Sequence, residues 1–197
     1  MLSKEELKQP SILFVSKNKN KFIEASYILS SFNIKLEWAP YSKLEIQSSS
    51  LTDIASFAAK NAFESIKKPL IVEDDGLFIK VLKGFPGPFS SYVYSTIGLN
   101  GILKLMEGVD DRECFFESAV AFCDQNINKV FVGRVYGEIS RVIKGSYGFG
   151  FDPIFIPKGE NLTFAEMPLN YKCSISHRAV ALRDFAKWFL KNFKYYL

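Results

Sequence analysis

Apolar and polar residues alternate along the chain in short blocks, and this pattern predicts intermixed strands and helices. A buried strand is predicted over 11–15 and a polar loop over 16–21. A helix follows, because apolar residues recur there every three or four positions. Residues 34–38 alternate in the manner of a second strand.

The middle of the chain predicts a helix followed by a buried strand. Thr52 and Asp53 are candidate N-caps for a helix that continues to Ile66. Pro69 then precedes a strand over 70–72.

The second half of the chain continues this alternation. The predicted elements are a helical stretch over 89–107 interrupted near 98–101, strands over 113–123 and 129–142 joined by a turn at 124–126, a short strand over 154–156, and an amphipathic helix from 176. Because strands and helices intermix, the predicted fold class is α/β or α+β.

Size and composition indicate one globular domain. The 197 residues are 48% hydrophobic and 23% charged, which excludes a disordered chain. We predict a single domain over 1–197, with 1–10 as a candidate disordered N-terminal extension. The formal net charge of +4 is compatible with anionic ligands.

Three features favour a cytoplasmic protein without a membrane partner. The three cysteines have no metal-type spacing and are interpreted as reduced thiols. The polar N-terminus is unlike a signal peptide. No apolar run approaches the roughly 20 residues needed to span a bilayer.

Carboxylates are concentrated at 73–75, where we predict the buried strand 70–72 to end. Because consecutive strand residues point to opposite faces, at least one of Glu73, Asp74 and Asp75 should face away from a common site. Glu45 is a further candidate acid. Two carboxylates from different segments suit Mg²⁺, which takes one or two of them together with water and phosphate oxygens.

Three further segments carry candidate binding chemistry. Residues 16–21 place three lysines before a helix N-terminus, an arrangement that attracts phosphate. Residues 148–153 hold phenylalanines beside an acid, and aromatic faces stack on bases. His177, the only histidine, precedes Arg178. Each segment alone also suits a solvated turn or a core, and their joint presence favours a nucleotide site.

With these residues in place, the chain resembles the inosine triphosphate pyrophosphatases (XTP/dITP pyrophosphatases), and most closely their archaeal members. The resemblance extends from about Ser11 to Trp188. It is carried by the ordered segments 16–21, 45–47, 73–77, 84–87, 148–155, 165–167 and 176–178.

The resemblance implies an elongated mixed-sheet fold with two lobes and a central nucleotide cleft, in a homodimer. It implies Glu45 and Asp74 as Mg²⁺ ligands and Asp74 as the catalytic proton acceptor. It also implies that purine nucleotide is held by a set of substrate-binding residues: Ser16, Lys17, Asn18, Lys19, Asn20, Lys21, Asp75, Phe149, Gly150, Phe151, Asp152, Lys172, His177 and Arg178.

Three departures from the pattern of the family lie at the site. The phosphate loop of the family often contains Gly or Pro-Gly where this chain has Lys17, Lys19 and Asn20. Asp75 stands where the family usually has Ser or Thr, and Phe151 where it usually has Tyr or Trp. For Asp75 we favour association with Mg²⁺ over simple repulsion of its neighbour Asp74.

The expected function is Mg²⁺-dependent hydrolysis of ITP, dITP and XTP to the monophosphate and pyrophosphate. Two alternatives stay open. One is a related pyrophosphatase for pyrimidine or modified nucleotides. The other is a non-catalytic single-stranded nucleic-acid-binding module, which would not need the acids; the acid cluster favours an enzyme without a stable nucleic-acid partner.

Overall fold

The computed structural model describes residues 9–192. This part of the chain forms seven strands and six α-helices. The strands are β1 (Ser11–Val15), β2 (Lys35–Ala39), β3 (Leu70–Ile79), β4 (Pro86–Gly87), β5 (Glu113–Cys123), β6 (Asn128–Ile139) and β7 (Phe155–Pro157). The helices are α1 (Lys19–Ser30), α2 (Leu51–Ile66), α3 (Ser90–Thr96), α4 (Gly98–Leu105), α5 (Leu169–Ile175) and α6 (His177–Asn192).

The strands form one mixed sheet in the order β2-β1-β3-β5-β6-β7, with β4 paired to β3. β1 is parallel to β2 and β3, whereas β3, β5, β6 and β7 pair antiparallel. The α/β prediction with a mixed sheet is therefore confirmed.

A gap in the sheet determines where a cleft can form. β1 pairs only with residues 70–72 of β3, and β4 pairs only with 77–78. Residues 73–76 thus pair with β5 on one side, while their other side lies between the two short neighbours. The three carboxylates of the chain's acidic segment lie in this gap.

Helices cover both faces of the sheet in one half of the molecule. α1 and α6 pack on one face, where Phe122 and Phe185 are fully buried, and the alanines of α2 pack on the other. Burial of each such phenylalanine contributes about 1.5–3 kcal/mol. A separate cluster around Phe116, Ile154 and Phe155 forms the core of the other half.

Alternation along β3 sends the acids to opposite faces. Ile71 and Leu77 belong to the clusters on the same side as Glu73 and Asp75, and Leu70 and Val72 belong to the opposite side with α2. Asp74 consequently points away from its two acidic neighbours.

Three predicted details were wrong. The N-cap of α2 is Ser50, whose side chain accepts from the amide of Asp53, so neither Thr52 nor Asp53 is the cap. The loop predicted over 16–21 ends at Asn18, because that residue caps α1. The acids lie inside β3 rather than after it, because pairing with β5 continues the strand to Ile79.

The ends of the chain limit two other predictions. Residues 1–8 of the predicted N-terminal extension lie outside the described residues, while the carbonyl of Pro10 accepts from the amide of Lys35 at 2.8 Å. Between residues 9 and 192, no helix is both long and apolar enough to cross a membrane.

Candidate active site

A cleft of about 760 Å³ opens at the sheet gap. Its walls come from the β1–α1 junction, the segment after β2, the middle of β3, helix α3, the loop at 148–152 and the start of α6. Every predicted site residue lines it except Lys19, which lies on the exposed side of the first turn of α1.

The junction between β1 and α1 is organised by its own side chains. The Asn18 side chain accepts from the amides of Asn20 (3.0 Å) and Lys21 (3.2 Å), and Ser16 Oγ accepts from the amide of Asn18 (3.1 Å). These amides are therefore not free to bind an anion. The helix dipole and the lysine side chains are the remaining means of attracting phosphate here.

Arg178 lies at the centre of a buried ion-pair network. Its Nε donates to both carboxylate oxygens of Glu73 at 2.8 and 2.9 Å, its Nη2 donates to Asp75 at 2.8 Å, and its Nη1 pairs with Glu24. Burial alone would lower the pKa of Arg178, but the charges of Glu73, Glu24 and Asp75 raise it well above its ordinary value. The guanidinium is thus permanently charged, with all three nitrogens engaged.

The close approach of α6 to the sheet places this network. At Gly133 of β6, a Cβ would lie 2.1 Å from the carbonyl oxygen of His177. Only glycine allows the first turn of α6 to approach the strand so closely, and that turn carries both His177 and Arg178.

Lys172 extends the network toward the loop at 148–152. Its Nζ lies 2.6 Å from Glu24 Oε1 and 2.5 Å from Asp152 Oδ2, and that oxygen also accepts from the amide of Phe149 at 2.7 Å. Burial alone would lower the pKa of Lys172, but the charges of Asp152 and Glu24 raise it. Gly148 makes the turn at φ +69°, and a Cβ there would lie 2.1 Å from Asp152 Oδ2.

Asp75 is compensated by cations of this network. Its Oδ1 pairs with Lys21 and its Oδ2 with Arg178. Burial would raise the pKa of Asp75, but Lys21 and Arg178 hold it well below its usual range. The expected association of Asp75 with Mg²⁺ stays a prediction. In this structure the charge of Asp75 is already balanced by Lys21 and Arg178, so it does not need a metal ion for compensation.

His177 is a buried polar side chain with no hydrogen-bond partner in the described part of the chain. It is 2% exposed, it stacks on Phe116 with centroids 4.6 Å apart, and neither ring nitrogen has a hydrogen-bond partner in residues 9–192. Its Nε2 lies 3.6 Å from Asp75 Oδ2, beyond hydrogen-bond distance. Burial lowers the pKa of His177 and the Arg178 charge adds to this, which together outweigh the opposing influence of Asp75, so the ring is neutral at pH 7. Because buried polar groups are normally satisfied, a ligand is the natural partner.

Asp74 faces a different set of groups. Lys43 Nζ lies 3.7 Å from Asp74 Oδ1 and 2.7 Å from Glu45 Oε1. Burial raises the pKa of Asp74 to about 6, with Lys43 and Lys21 opposing the rise and Asp75 and Glu45 adding to it. A carboxylate with this pKa is suited to accept a proton near neutral pH.

Comparison with known proteins gives the family of this chain. Residues 12–188 match the Ham1 family. The chain belongs to the Ham1 family. The dITP/XTP pyrophosphatase of Saccharolobus solfataricus is 51% identical over 179 residues, 91% of this chain and 93% of that protein. That of Methanopyrus kandleri is 47% identical over 182 residues, 92% and 97% of the two chains.

The fold of the Ham1 family is confirmed by solved structures. A HAM1 protein from Coxiella burnetii matches with a TM-score of 0.79 and 28% identity, over 92% of this chain and 99% of that one. The resemblance seen in the sequence is confirmed by these relatives.

Ham1 membership suggests a divalent metal cofactor, and the cleft offers suitable donors for one. The carboxylates of Glu45 and Asp74 and the backbone carbonyl of Glu73 all approach the same ammonium group, that of Lys43. Oxygen donors that converge on one cation fit a hard divalent ion. Residues 9–192 contain no group of three acidic, His or Cys side chains arranged as a complete metal centre.

The two loop phenylalanines differ in their surroundings. Phe151 is 3% exposed, belongs to the core cluster around Phe116 and meets Tyr94 edge-on at 5.6 Å. Phe149 is half-buried, with Lys172 Nζ 5.0 Å and the Arg178 guanidinium 5.4 Å from its ring centroid. Phe149 is therefore the better candidate for contact with a base.

Sequence reasoning missed two charged residues of the site. Glu24 lies three positions after Lys21 on the buried side of α1, and a glutamate on an apolar helix face was an available signal. Lys43 lies in the irregular segment after β2, and nothing in the sequence distinguishes it from a surface lysine.

Proposed function

We propose that this Ham1 protein is a nucleoside triphosphate pyrophosphohydrolase. It hydrolyses ITP, dITP and XTP to the monophosphate and pyrophosphate with Mg²⁺ as cofactor. One observation carries the proposal: a single cleft joins the acids Glu45 and Asp74, the lysine-bearing start of α1, and a buried histidine with no hydrogen-bond partner among residues 9–192. The names of the relatives from S. solfataricus and M. kandleri support the same substrates.

In the proposed reaction, water attacks the α-phosphorus, and the bond between the α-phosphorus and the oxygen that bridges it to the β-phosphorus breaks. Asp74 accepts the proton of the water, and pyrophosphate is the leaving group. Lys21 and the N-terminus of α1 attract the phosphate chain. When bound, Mg²⁺ supplies positive charge that neutralises the phosphate oxygens, and Glu45 and Asp74 would hold it.

Selectivity for a 6-oxopurine depends on which buried polar side chains of the cleft remain available to hydrogen-bond to the base. The three nitrogens of Arg178 are already engaged by carboxylates, and Asp152 is engaged by Lys172. We therefore assign recognition of the base to His177. Its ring N–H would donate to O6 of the purine, or its other ring nitrogen would accept from N1–H. Adenine reverses the donor and acceptor at these positions, and mismatched buried groups discriminate by about 10⁴.

Product identification tests the proposed function. Purified protein with dITP and Mg²⁺ is expected to yield dIMP and pyrophosphate, with ATP turned over poorly. A panel that includes pyrimidine and modified triphosphates separates the proposal from a related pyrophosphatase. Release of orthophosphate with dIDP as the nucleotide product would refute the cleavage position.

Replacement of His177 by phenylalanine separates base reading from structure. His177→Phe keeps an aromatic ring against Phe116 but removes both nitrogens, so Tm should stay within a few degrees of wild type. We expect the ratio of dITP to ATP turnover to fall by about 10–100-fold. Steady-state kinetics with both nucleotides and a thermal melt provide the measurement. A lower Tm with an unchanged ratio would assign the histidine a structural role only.

We also propose a homodimer, a cytoplasmic location, a single domain over 1–197, and no stable nucleic-acid or membrane partner. The resemblance to the pyrophosphatase family supports the dimer. The three buried free cysteines, Cys114, Cys123 and Cys173, agree with a reducing compartment. Light scattering on the full chain measures the oligomeric state.

A further inference from the structure

Lys43 occupies the middle of the proposed metal site. Its ammonium lies 2.7 Å from Glu45 Oε1 and 3.7 Å from Asp74 Oδ1, and its side chain is only 15% exposed. It also donates to the backbone carbonyl of Glu73 at 3.1 Å. Lys43 therefore contacts both carboxylates that we assign to a divalent ion, together with the neighbouring backbone carbonyl of Glu73.

The sheet gap explains how a lysine from an irregular segment is held there. The Glu73 carbonyl lies in the part of β3 that pairs with neither β1 nor β4. A side chain fills an equivalent role nearby, where Ser90 Oγ accepts from the amide of Leu77 at 2.9 Å. Lys43 is thus anchored by the strand and does not depend on a surface ion pair alone.

Among the charged residues that the structure describes around the gap, Lys43 is the one that balances the carboxylates of Glu45 and Asp74. Lys21 pairs with Asp75 and Arg178 pairs with Glu73, on the face of β3 opposite Asp74. In the described part of the chain, Lys43 is the cation in ion-pair distance of both Glu45 and Asp74. Without it, two converging carboxylates would repel each other across a partly buried site.

We propose that Lys43 is a built-in counter-ion of the metal site, which a divalent metal must displace, so that it sets how much metal the enzyme needs. The inference rests on the proposed assignment of Glu45 and Asp74 to the metal. A monovalent ammonium and a divalent ion compete for the same oxygen donors, and their mutual repulsion within a few ångströms disfavours joint occupancy.

Metal binding to the nucleotide-free, full-length protein tests the proposal. The probe is Mn²⁺ alone, titrated by calorimetry and by electron paramagnetic resonance, because it shares the oxygen-donor preference of Mg²⁺. We expect Lys43→Met to bind Mn²⁺ at least about tenfold more tightly than wild type. Lys43→Arg retains the positive charge and should remain within about threefold of the wild-type Kd.

The chain offers a matched control for the lost charge. Lys80 also lies between two carboxylates, 2.6 Å from Glu113 and 3.5 Å from Asp111, but it is exposed and outside the cleft. Lys80→Met changes the net charge equally and should leave the Kd of the cleft unchanged. A thermal melt of each variant confirms that it is folded.

The outcomes distinguish this inference from the proposed function. Equal or weaker Mn²⁺ binding by folded Lys43→Met would overturn the counter-ion role, even while dITP is still cleaved. Binding that persists unchanged in Asp74→Asn would place the metal elsewhere and overturn both the site and the inference. Tight binding by Lys43→Met, lost when Asp74→Asn is added, would support the proposal. If neither wild type nor any variant bound Mn²⁺, the counter-ion role of Lys43 would also be overturned.

Discussion

Asp74→Asn is expected to lower kcat for dITP at saturating Mg²⁺ by at least about 10²-fold, while the protein stays folded. The substitution preserves shape but removes both the proton acceptor and one charge that would hold the metal. Asp184→Asn on the exposed side of α6 is the matched control, since its side chain is 58% exposed, lies 3.9 Å from Lys187 and does not line the cleft. Turnover near wild type in folded Asp74→Asn would exclude the catalytic role.

The same substitution should stabilise the metal-free protein. The folded pKa of Asp74 is about 6 against an ordinary value of 3.8, so the folded state holds its proton more tightly than the unfolded state. The stabilisation of the folded state by protonated Asp74 is therefore fully present below the unfolded pKa and is lost as pH rises through the folded pKa. Asparagine avoids this loss. We expect Tm of the variant to exceed wild type by about 5 °C at pH 7.5 and to converge toward pH 4. A lower Tm at pH 7.5 would contradict the unfavourable burial of this charge.

Arg178→Met is expected to have the largest effect on stability. Removal of the guanidinium leaves Glu73, Glu24 and Asp75 facing one another in a buried space, which costs about 3–5 kcal/mol when one partner of a buried ion pair is lost. Urea denaturation at pH 7 gives the measurement. Lys187→Met on the same helix is the control, because this lysine is 72% exposed and should change stability by less than about 0.5 kcal/mol.

The effect of Arg178→Met should shrink as pH falls. In wild type the pKa values of Glu24 and Asp75 are lowered, because the charges of Arg178 and of Lys172 or Lys21 outweigh burial. The stabilisation that ionised Glu24 and Asp75 give the folded protein is present above the unfolded pKa values and is lost as pH falls through the folded pKa values. In the variant the pKa values of these buried carboxyls should be raised, and protonation then relieves their repulsion. A stability difference that stays constant between pH 7 and pH 4.5 would show that lost packing, not lost charge, dominates.

Local patterns were sufficient where short-range chemistry decides the structure. The hairpin of β5 and β6 was predicted within a few residues because its turn is closed by one side chain. Asp124 Oδ1 accepts from the amides of Asn126 at 2.8 Å and Ile127 at 2.6 Å. The helical stretch interrupted near Gly98 was likewise confirmed as α3 and α4, since Gly98 adopts φ +61° where α4 begins.

Prediction failed where several residues of similar chemistry compete. Ser48, Ser50, Thr52 and Asp53 are all capable of capping a helix, and only the backbone conformation selects Ser50. The end of β3 was misplaced for a different reason. Carboxylates are poor strand formers, but pairing with β5 holds residues 73–75 extended through contacts more than 40 positions apart in sequence.

The sequence by itself determined the order of the longer strands and helices, the acid, basic, aromatic and histidine segments, and membership of the family, because each depends on local patterns; the short β4 and α5 were not predicted. The tertiary structure decided which charges meet. Lys172 reaches Glu24 across 148 positions and Arg178 reaches Glu73 across 105, and no local preference specifies such pairs. It also decided that β1 and β4 leave one side of residues 73–76 of β3 without a strand partner, and that Lys43 lies between Glu45 and Asp74 there. Such contacts depend on how whole elements pack, since the free energy that holds them comes from burial of the sheet and helices and not from the residues of the site.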